Sequence, residues 1–518
     1  MTRHFNTGGP CARDIHYMLP PERRLGTICD VIDARSYFVL HAPRQVGKTT
    51  ALMNLARTLT DEGRYAALMA SMEPGEPFSD DIATAEGAIL SGWRATAEAF
   101  LPEGLRPPPW PGAEPGARIG AALAAWSRQC PRPLVVFLDE VDALRDPLLS
   151  LVLRQLRAGH PRRPAGFPWS LALVGLRDVR DYKLAAGGAD RAHSSSPLNI
   201  KVESFTMRDF TEAEVGELYA QHTADTGQRF EPEAVARAFE LTRGQPWLVN
   251  ALARQLVQVL VRDRARPITA AEVDEARRIL IEREDTHLDS LAERLRETRV
   301  RAVIEPMLTG DPLPVLPPDD LRYVKDLGLV REASDGAVTV ANPIYHEIIA
   351  RNLALPLRAS MPVIAPTWLR PDGGLDTDAM LDAFVTFWKR HGELLASNVP
   401  YREAAPHLVL MAFLYKVVNG GGRVDREYAA GTGRLDLFVE YRGESLGVEV
   451  KTWRDSDRKA DVVGVGLAQL DGYLARVGAR RAWLVVFDQR SGQPDLADRA
   501  RVERTTAPSG RAVAVVML

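Results

Sequence analysis

The chain has 518 residues, 65 Lys and Arg against 68 Asp and Glu, and a formal net charge of -3. That length exceeds what one hydrophobic core fills, so three or four folded units are expected. The near-neutral balance excludes a bulk electrostatic pull towards nucleic acid and leaves that task to local basic patches. Cys11, Cys29 and Cys130 form no C-x-x-C pair, which fits a reducing compartment and argues against structural zinc. The first residues lack an apolar secretion core, and no apolar run reaches the roughly 18 residues a membrane helix needs, so a cytoplasmic protein without a membrane partner is expected.

In chain order, Tyr37 to His41 reads as a strand that runs into Ala42-Pro43-Arg44-Gln45-Val46-Gly47-Lys48-Thr49, and Thr50 continues as a helix. Strand, loop and helix in that order make a phosphate loop: backbone N–H groups converge on phosphates, Lys48 reaches the outer ones and the Thr49 hydroxyl binds magnesium. Ala42 stands where the usual pattern has glycine, which is tolerable if its dihedrals are ordinary. Further strands are expected at Tyr65 to Met69, Leu134 to Leu138 and Leu171 to Val174, alternating with helices as in a parallel sheet covered on both faces. The proline-rich stretch Pro102 to Pro115 reads as a surface insertion.

The apolar run from Pro133 ends in Asp139-Glu140, with Asp139 placed to hold magnesium and Glu140 to polarise water; the alternative is a strand that merely ends in acid at the surface. Arg177, at the end of the next strand, is a candidate γ-phosphate contact or a surface ion-pair partner. Thr211-Glu214 and Thr269-Glu272 are capping-box patterns that open helices of a lid over 207–295. Helices near Val300 to Met307 and Pro318 to Asp326, then short strands around Ser334-Asp335-Gly336, suggest a winged helix over 296–355. Residues 356–374 read as a proline-rich linker.

The first 355 residues resemble P-loop ATPases of the AAA+ and STAND group. The resemblance rests on the phosphate loop, the acid pair and Gly244-Gln245-Pro246, which looks like the G-x-P motif of a STAND lid. It implies ATP as ligand, a lid proline Pro246 near the nucleotide, and an oligomer that forms with nucleotide. Pro246 equally suits a helix start. Tyr17 and Arg24 precede the first strand, where this group contacts base and ribose; packing and solvated surface are their plainer readings.

The remaining segment, 375–518, carries two helical stretches, strands at Leu435 to Glu440 and Leu446 to Val450, a helix around Gly466 to Arg476, and strands at Ala482 to Phe487 and Val513 to Met517. A turn at Arg442-Gly443-Glu444 folds Asp436 back towards Glu449, and strand alternation puts Glu449 and Lys451 on one face. Two carboxylates and a lysine so placed suit a metal-assisted phosphodiester cut. The pattern resembles the PD-(D/E)xK nuclease superfamily, although Leu435 replaces the usual proline. Glu403 matches that family's helix-borne acid, or is a capping or ion-pair residue, and Gln469 and Tyr473 match its Q-x-x-x-Y element.

The expected architecture is therefore an α/β multidomain chain: P-loop parallel-sheet core (1–206), helical lid, winged helix, linker and a restriction-endonuclease-like α/β domain. Its expected ligands are ATP, Mg²⁺ (or Mn²⁺ at the second site) and DNA. The alternative is a nucleotide-dependent signalling or assembly switch whose last domain is a non-catalytic nucleic-acid or partner-binding module. A DNA motor fits less well because no helicase motif series follows Asp139-Glu140.

Overall fold

The structure is a computed structural model, and it describes residues 3–176, 201–283, 293–309, 313–333, 336–397, 401, 404–418, 422–430, 433–477, 479 and 481–518. The chain divides into two compact units. The first comprises Met1–Glu282 with Leu321–Gly336, and the second Arg283–Asp320 with Ala337–Leu518.

The first unit is built on five parallel strands: β1 (Tyr37–His41), β2 (Ala66–Ser71), β3 (Leu134–Asp139), β4 (Ser170–Gly175) and β5 (Lys201–Thr206), in the order β2-β3-β4-β1-β5. Every residue of β3 and β4 is buried, as a central parallel strand covered on both faces requires. Alternation along the strands feeds two cores. Val39, Leu68 and Val136 pack with Trp93, Leu123 and Trp126 on one side. On the other, Phe38, Leu40 and Phe137 pack with Leu52 and Leu55 of the helix Lys48–Asp61. The segment Pro102 to Pro115 lies between the helices Ile82–Phe100 and Arg118–Gln129 and contains one short 3₁₀ turn.

Helices Glu212–Thr226, Pro232–Thr242, Pro246–Gln255 and Ala270–Arg283 follow. Thr211 and Glu214 form the capping box in full, and the Glu272 carboxylate accepts from the Thr269 N–H at 2.8 Å. Gly244 is where the chain must turn between two of these helices. It has φ +80°, and a Cβ there would lie 1.9 Å from the Phe210 carbonyl oxygen, so only glycine fits.

Next come the helices Thr298–Thr309 and Pro318–Asp326 and the short strands β6 (Val330–Glu332) and β7 (Val338–Val340), in the order expected. The segment Leu321–Gly336 belongs with the first unit, where Gly328 packs directly on Pro43 of the phosphate loop. The following helix runs from Pro343 to Ser360, five residues beyond the expected boundary at 355. Pro356 lies inside it, with Ala354 and Leu357 buried on either side, so packing outweighs the missing N–H.

The second unit holds β8 (Gly422–Ala430), β9 (Gly433–Tyr441), β10 (Glu444–Trp453), β11 (Arg481–Asp488), β12 (Arg501–Thr506) and β13 (Ala512–Met517). Their order is β12-β13-β11-β10-β9-β8, with parallel pairs at β10/β11 and β11/β13 and antiparallel pairs elsewhere. The helix Lys459–Val477 places Leu470 and Leu474 against Phe438, Trp453, Leu484 and Val486. Among the described residues no helix is long and apolar enough to cross a membrane.

Candidate functional site

The phosphate loop leaves β1 at His41 and enters its helix through Gly47, which sits in the left-handed region at φ 92°. Ala42 is fully buried and is not among the positive-φ residues, so its methyl group is accommodated without backbone strain. The Lys48 ammonium donates to the carbonyls of Ala42 (2.7 Å) and Pro43 (2.9 Å). Burial is the largest influence on Lys48 and lowers its pKa to about 8; Asp139 opposes that shift.

At the mouth of the loop the Thr49 hydroxyl donates to Asp139 Oδ2 at 3.0 Å, while Asp139 Oδ1 accepts from the Glu140 N–H at 3.0 Å. Burial raises the Asp139 pKa, and the Thr49 bond works against it. A hydroxyl and a carboxylate meeting beside a buried lysine form the donor set that magnesium takes at a phosphate site, so the residues fit that ion. Glu140 is exposed and takes a left-handed conformation at φ 58°. Its Oε2 accepts from Ser71 Oγ at 2.8 Å, and that Oγ in turn accepts from the Glu73 N–H at 3.0 Å. The Glu140 charge, first among the causes, raises the Glu73 pKa. Ser71 and Glu73 escaped the sequence reading, because only the pairing of β2 with β3, which sets Ser71 opposite Asp139, brings them here.

A cavity of about 420 Å³ opens from this loop. Gln45, Val46, Gly47, Lys48, Thr49 and Thr50 line one end. Arg44 is exposed outside it. Thr50 Oγ1 accepts from the Cys11 N–H at 3.0 Å, so the N-terminal segment is tied to the loop helix. The same segment is tied to the lid, because Trp247 Nε1 donates to the Thr7 carbonyl at 2.9 Å. Pro246 opens the helix Pro246–Gln255 and also lines the cavity, so its two readings hold together. Tyr17 is buried against Phe5, with ring centroids 4.8 Å apart, and also contributes to the cavity wall.

Arg24 corrects the expectation of a solvated surface residue. Its Nη2 donates to the Val46 carbonyl at 2.9 Å and its Nη1 to the Arg208 carbonyl at 3.1 Å, and the guanidinium lies 4.6 Å from the Phe210 ring centroid. Burial lowers its pKa to about 10, against the pull of Asp209 and Glu214. The physical reason is the lid, which covers a position that looks external from the sequence. Arg177 lies outside the described residues.

In the second unit, β9 and β10 pair from Glu444↔Tyr441 to Val448↔Leu437, and one further step sets Asp436 opposite Glu449. Directly opposed residues share a sheet face. Asp436 Oδ2 accepts from the Val450 N–H at 2.8 Å, and Lys451 Nζ lies 2.8 Å from Glu449 Oε1. Glu449 is 2% exposed, and its Oε2 is buried without a hydrogen-bond partner. Its pKa is pushed up to about 7, first by burial and then by the Asp436 charge, with Lys451 opposing. An orphaned carboxylate oxygen beside a second carboxylate fits a divalent cation. Among the described residues, however, no three His, Cys, Asp or Glu gather to hold one. Glu403 lies outside those residues.

Alternation along β9 and β10 puts Asp436 on the side of Phe438, and Glu449 and Lys451 on the side of Trp453. That side is covered by the helix Lys459–Val477, which carries Gln469, exposed, and Tyr473, packed against the core.

No family model and no curated protein matches the chain. Solved structures similar in fold include the Walker-type ATPase of Pyrococcus abyssi, at 13% identity and TM-score 0.47, covering 67% of this chain and 99% of that one. The ORC2 protein of Aeropyrum pernix, described as ADPNP–ADP complexes, matches at 14% identity and TM-score 0.40, covering 65% and 92% respectively. The RuvB Holliday junction branch migration motor of Thermotoga maritima matches at 16% identity and TM-score 0.33, covering 62% and 91%.

Proposed function

We propose that this protein is a regulatory ATPase that binds and hydrolyses ATP and is coupled to a metal-dependent nuclease acting on DNA. The proposal divides the chain into a core (1–206), lid (207–295), winged helix (296–355), linker (356–374) and nuclease-like domain (375–518). The Thr49–Asp139 hydrogen bond at 3.0 Å carries the ATPase half, since it brings two motifs 90 residues apart to the mouth of one loop. Lys48 would release the loop carbonyls to meet phosphate oxygens, and Thr49 with Asp139 would hold magnesium, which supplies charge neutralisation at the phosphates. Glu140, exposed at the rim, would orient the attacking water. The contact of Gly328 with Pro43 supports communication between the phosphate loop and the segment that follows the lid.

For the nuclease half, the register opposing Asp436 and Glu449 is the supporting observation. Those two carboxylates would hold the cation that activates the phosphodiester, and Lys451 would offer its ammonium to the phosphate. Glu403, Gln469 and Tyr473 are proposed to complete that site, and Arg177 to contact the γ-phosphate.

A second reading is a STAND-like switch whose last domain grips a partner or nucleic acid without cutting. It is favoured by Asp436 being engaged by the Val450 N–H and Lys451 by Glu449, which makes both serviceable as structural residues. Purified protein incubated with linear, circular and single-stranded DNA, with Mg²⁺ or Mn²⁺ and with or without ATP, separates the readings. Cleavage lost in Lys451→Ala and altered in Lys48→Ala supports the nuclease. ATP turnover lost in Lys48→Ala, with DNA intact throughout, supports the switch.

A further inference from the structure

We propose that Asn250 is the residue that reads the base of the bound nucleotide, selecting a purine with an amine at C6, adenine over guanine. This rests on the nucleotide-site reading above. Asn250 lies four residues after Pro246 on the helix Pro246–Gln255, and both line the cavity whose other end is formed by Lys48 and Thr49. Residues spaced by four share a helix face.

Asn250 is 8% exposed, and its Nδ2 donates to the Pro246 carbonyl at 2.8 Å. That bond fixes the amide: the NH₂ group is spent on the backbone, so the side chain has only its carbonyl oxygen left to offer. This Oδ1 is buried and has no hydrogen-bond partner. A buried acceptor without a donor is uncommon and calls for an explanation, and a ligand N–H supplies one. The neighbouring wall, from Tyr17, Leu19, Pro21, Leu218 and Trp247, is largely apolar and suits the faces of a flat ring.

The C6 amine of adenine is a donor and can satisfy Oδ1. Guanine and hypoxanthine carry an oxygen there, which would set acceptor against acceptor. A site that must hydrogen-bond its ligand rejects an analogue lacking the donor far more strongly than an apolar slot does.

The test titrates the full chain with ATP, ITP and purine riboside triphosphate, which lacks any substituent at C6. Wild type is expected to bind ATP at least tenfold tighter than either analogue. Asn250→Leu is expected to bring ATP to the level of purine riboside triphosphate while leaving the latter within about threefold of wild type. Asn250→Ser, smaller and still polar, is read in the same ratio in case the leucine variant fails to fold. An ATP preference that survives in a folded variant overturns the assignment to Asn250. Failure of wild type to bind any of the three, or binding unchanged in Lys48→Ala, overturns the nucleotide-site reading itself.

Discussion

The Arg24 guanidinium joins the Val46 carbonyl of the phosphate loop, at 2.9 Å, to the first residues of the lid, where it also meets the Arg208 carbonyl. A cation held by two backbone carbonyls and the Phe210 ring links the position of the lid to the shape of the loop. Hydrogen bonds from a charged donor contribute about 1.5–3 kcal/mol each where they are shielded from water. Arg24→Ala is therefore expected to loosen the lid, giving faster proteolysis within 207–282 and weaker nucleotide binding. Arg24→Lys, which keeps the charge but cannot span both carbonyls, should recover less than half of the lost protection. Equal proteolysis of wild type and Arg24→Ala would remove the link.

Gly244 offers a sharper test of the lid. Phe210 N–H donates to the Gly244 carbonyl at 2.9 Å, and the space a Cβ would need is filled by Phe210 backbone atoms. Gly244→Ala must both hold a left-handed φ and push two chain segments apart, a cost of roughly 3 kcal/mol or more. Thermal unfolding should show a Tm lower by several degrees. Gly227→Ala serves as the control: it has φ +79° but no atom within 4 Å of the added Cβ, so its loss should be much smaller.

The two cores and both candidate sites were legible because their strands are the apolar ones. β1, β3, β4, β10, β11 and β13 all announce themselves by composition. The strands missing from the sequence reading are β5, β8 and β12, and each lies at the edge of its sheet. Arg501–Thr506 is exposed along its whole length, and Gly422–Ala430 carries Arg423, Asp425 and Arg426. Charged edges protect a sheet from pairing with another chain, and the same charges hide it from an apolar pattern. Arg24, Ser71 and Asn250 were hidden for a different reason. Each takes its role from a neighbour distant in sequence or from an unpaired atom, and spacing records neither.

Glu449 gives the second unit a pH signature. Its folded pKa, pushed up to about 7, lies above the ordinary carboxylate value of 4.5, so the folded state holds a proton that the unfolded state releases between those values. Stability contributed by the protonated form is fully present below pH 4.5 and is lost as pH rises through about 7, at most about 3 kcal/mol from this group. Glu449→Gln, uncharged throughout, should flatten that part of the profile and raise Tm at pH 8 by a few degrees. It should also abolish Mn²⁺ binding, monitored by calorimetry, which in wild type should release protons near pH 6.5. A wild-type profile that is flat from pH 5 to 8 would show that Glu449 is ionised throughout.

Ser71 addresses how the nucleotide site holds its water-polarising acid. β2 ends beside β3, its last residue opposite Asp139, so a hydroxyl there reaches the carboxylate that follows. Ser71 Oγ donates to Glu140 Oε2 and is itself fixed by the Glu73 N–H, which leaves its single proton directed at Glu140. Glu140 takes a left-handed backbone that a non-glycine residue adopts at some cost, so this side chain is oriented by its partners rather than by a relaxed local conformation. Ser71→Ala removes the orienting bond without touching the phosphate contacts of Lys48 or the Thr49–Asp139 pair. Steady-state ATP hydrolysis should show kcat altered by about tenfold, with the KM for ATP within about twofold. A fall in kcat means the bond presents the acid to water; a rise means it withholds it. An unchanged kcat, with Glu140→Gln inactive, would show that the serine merely ends a strand.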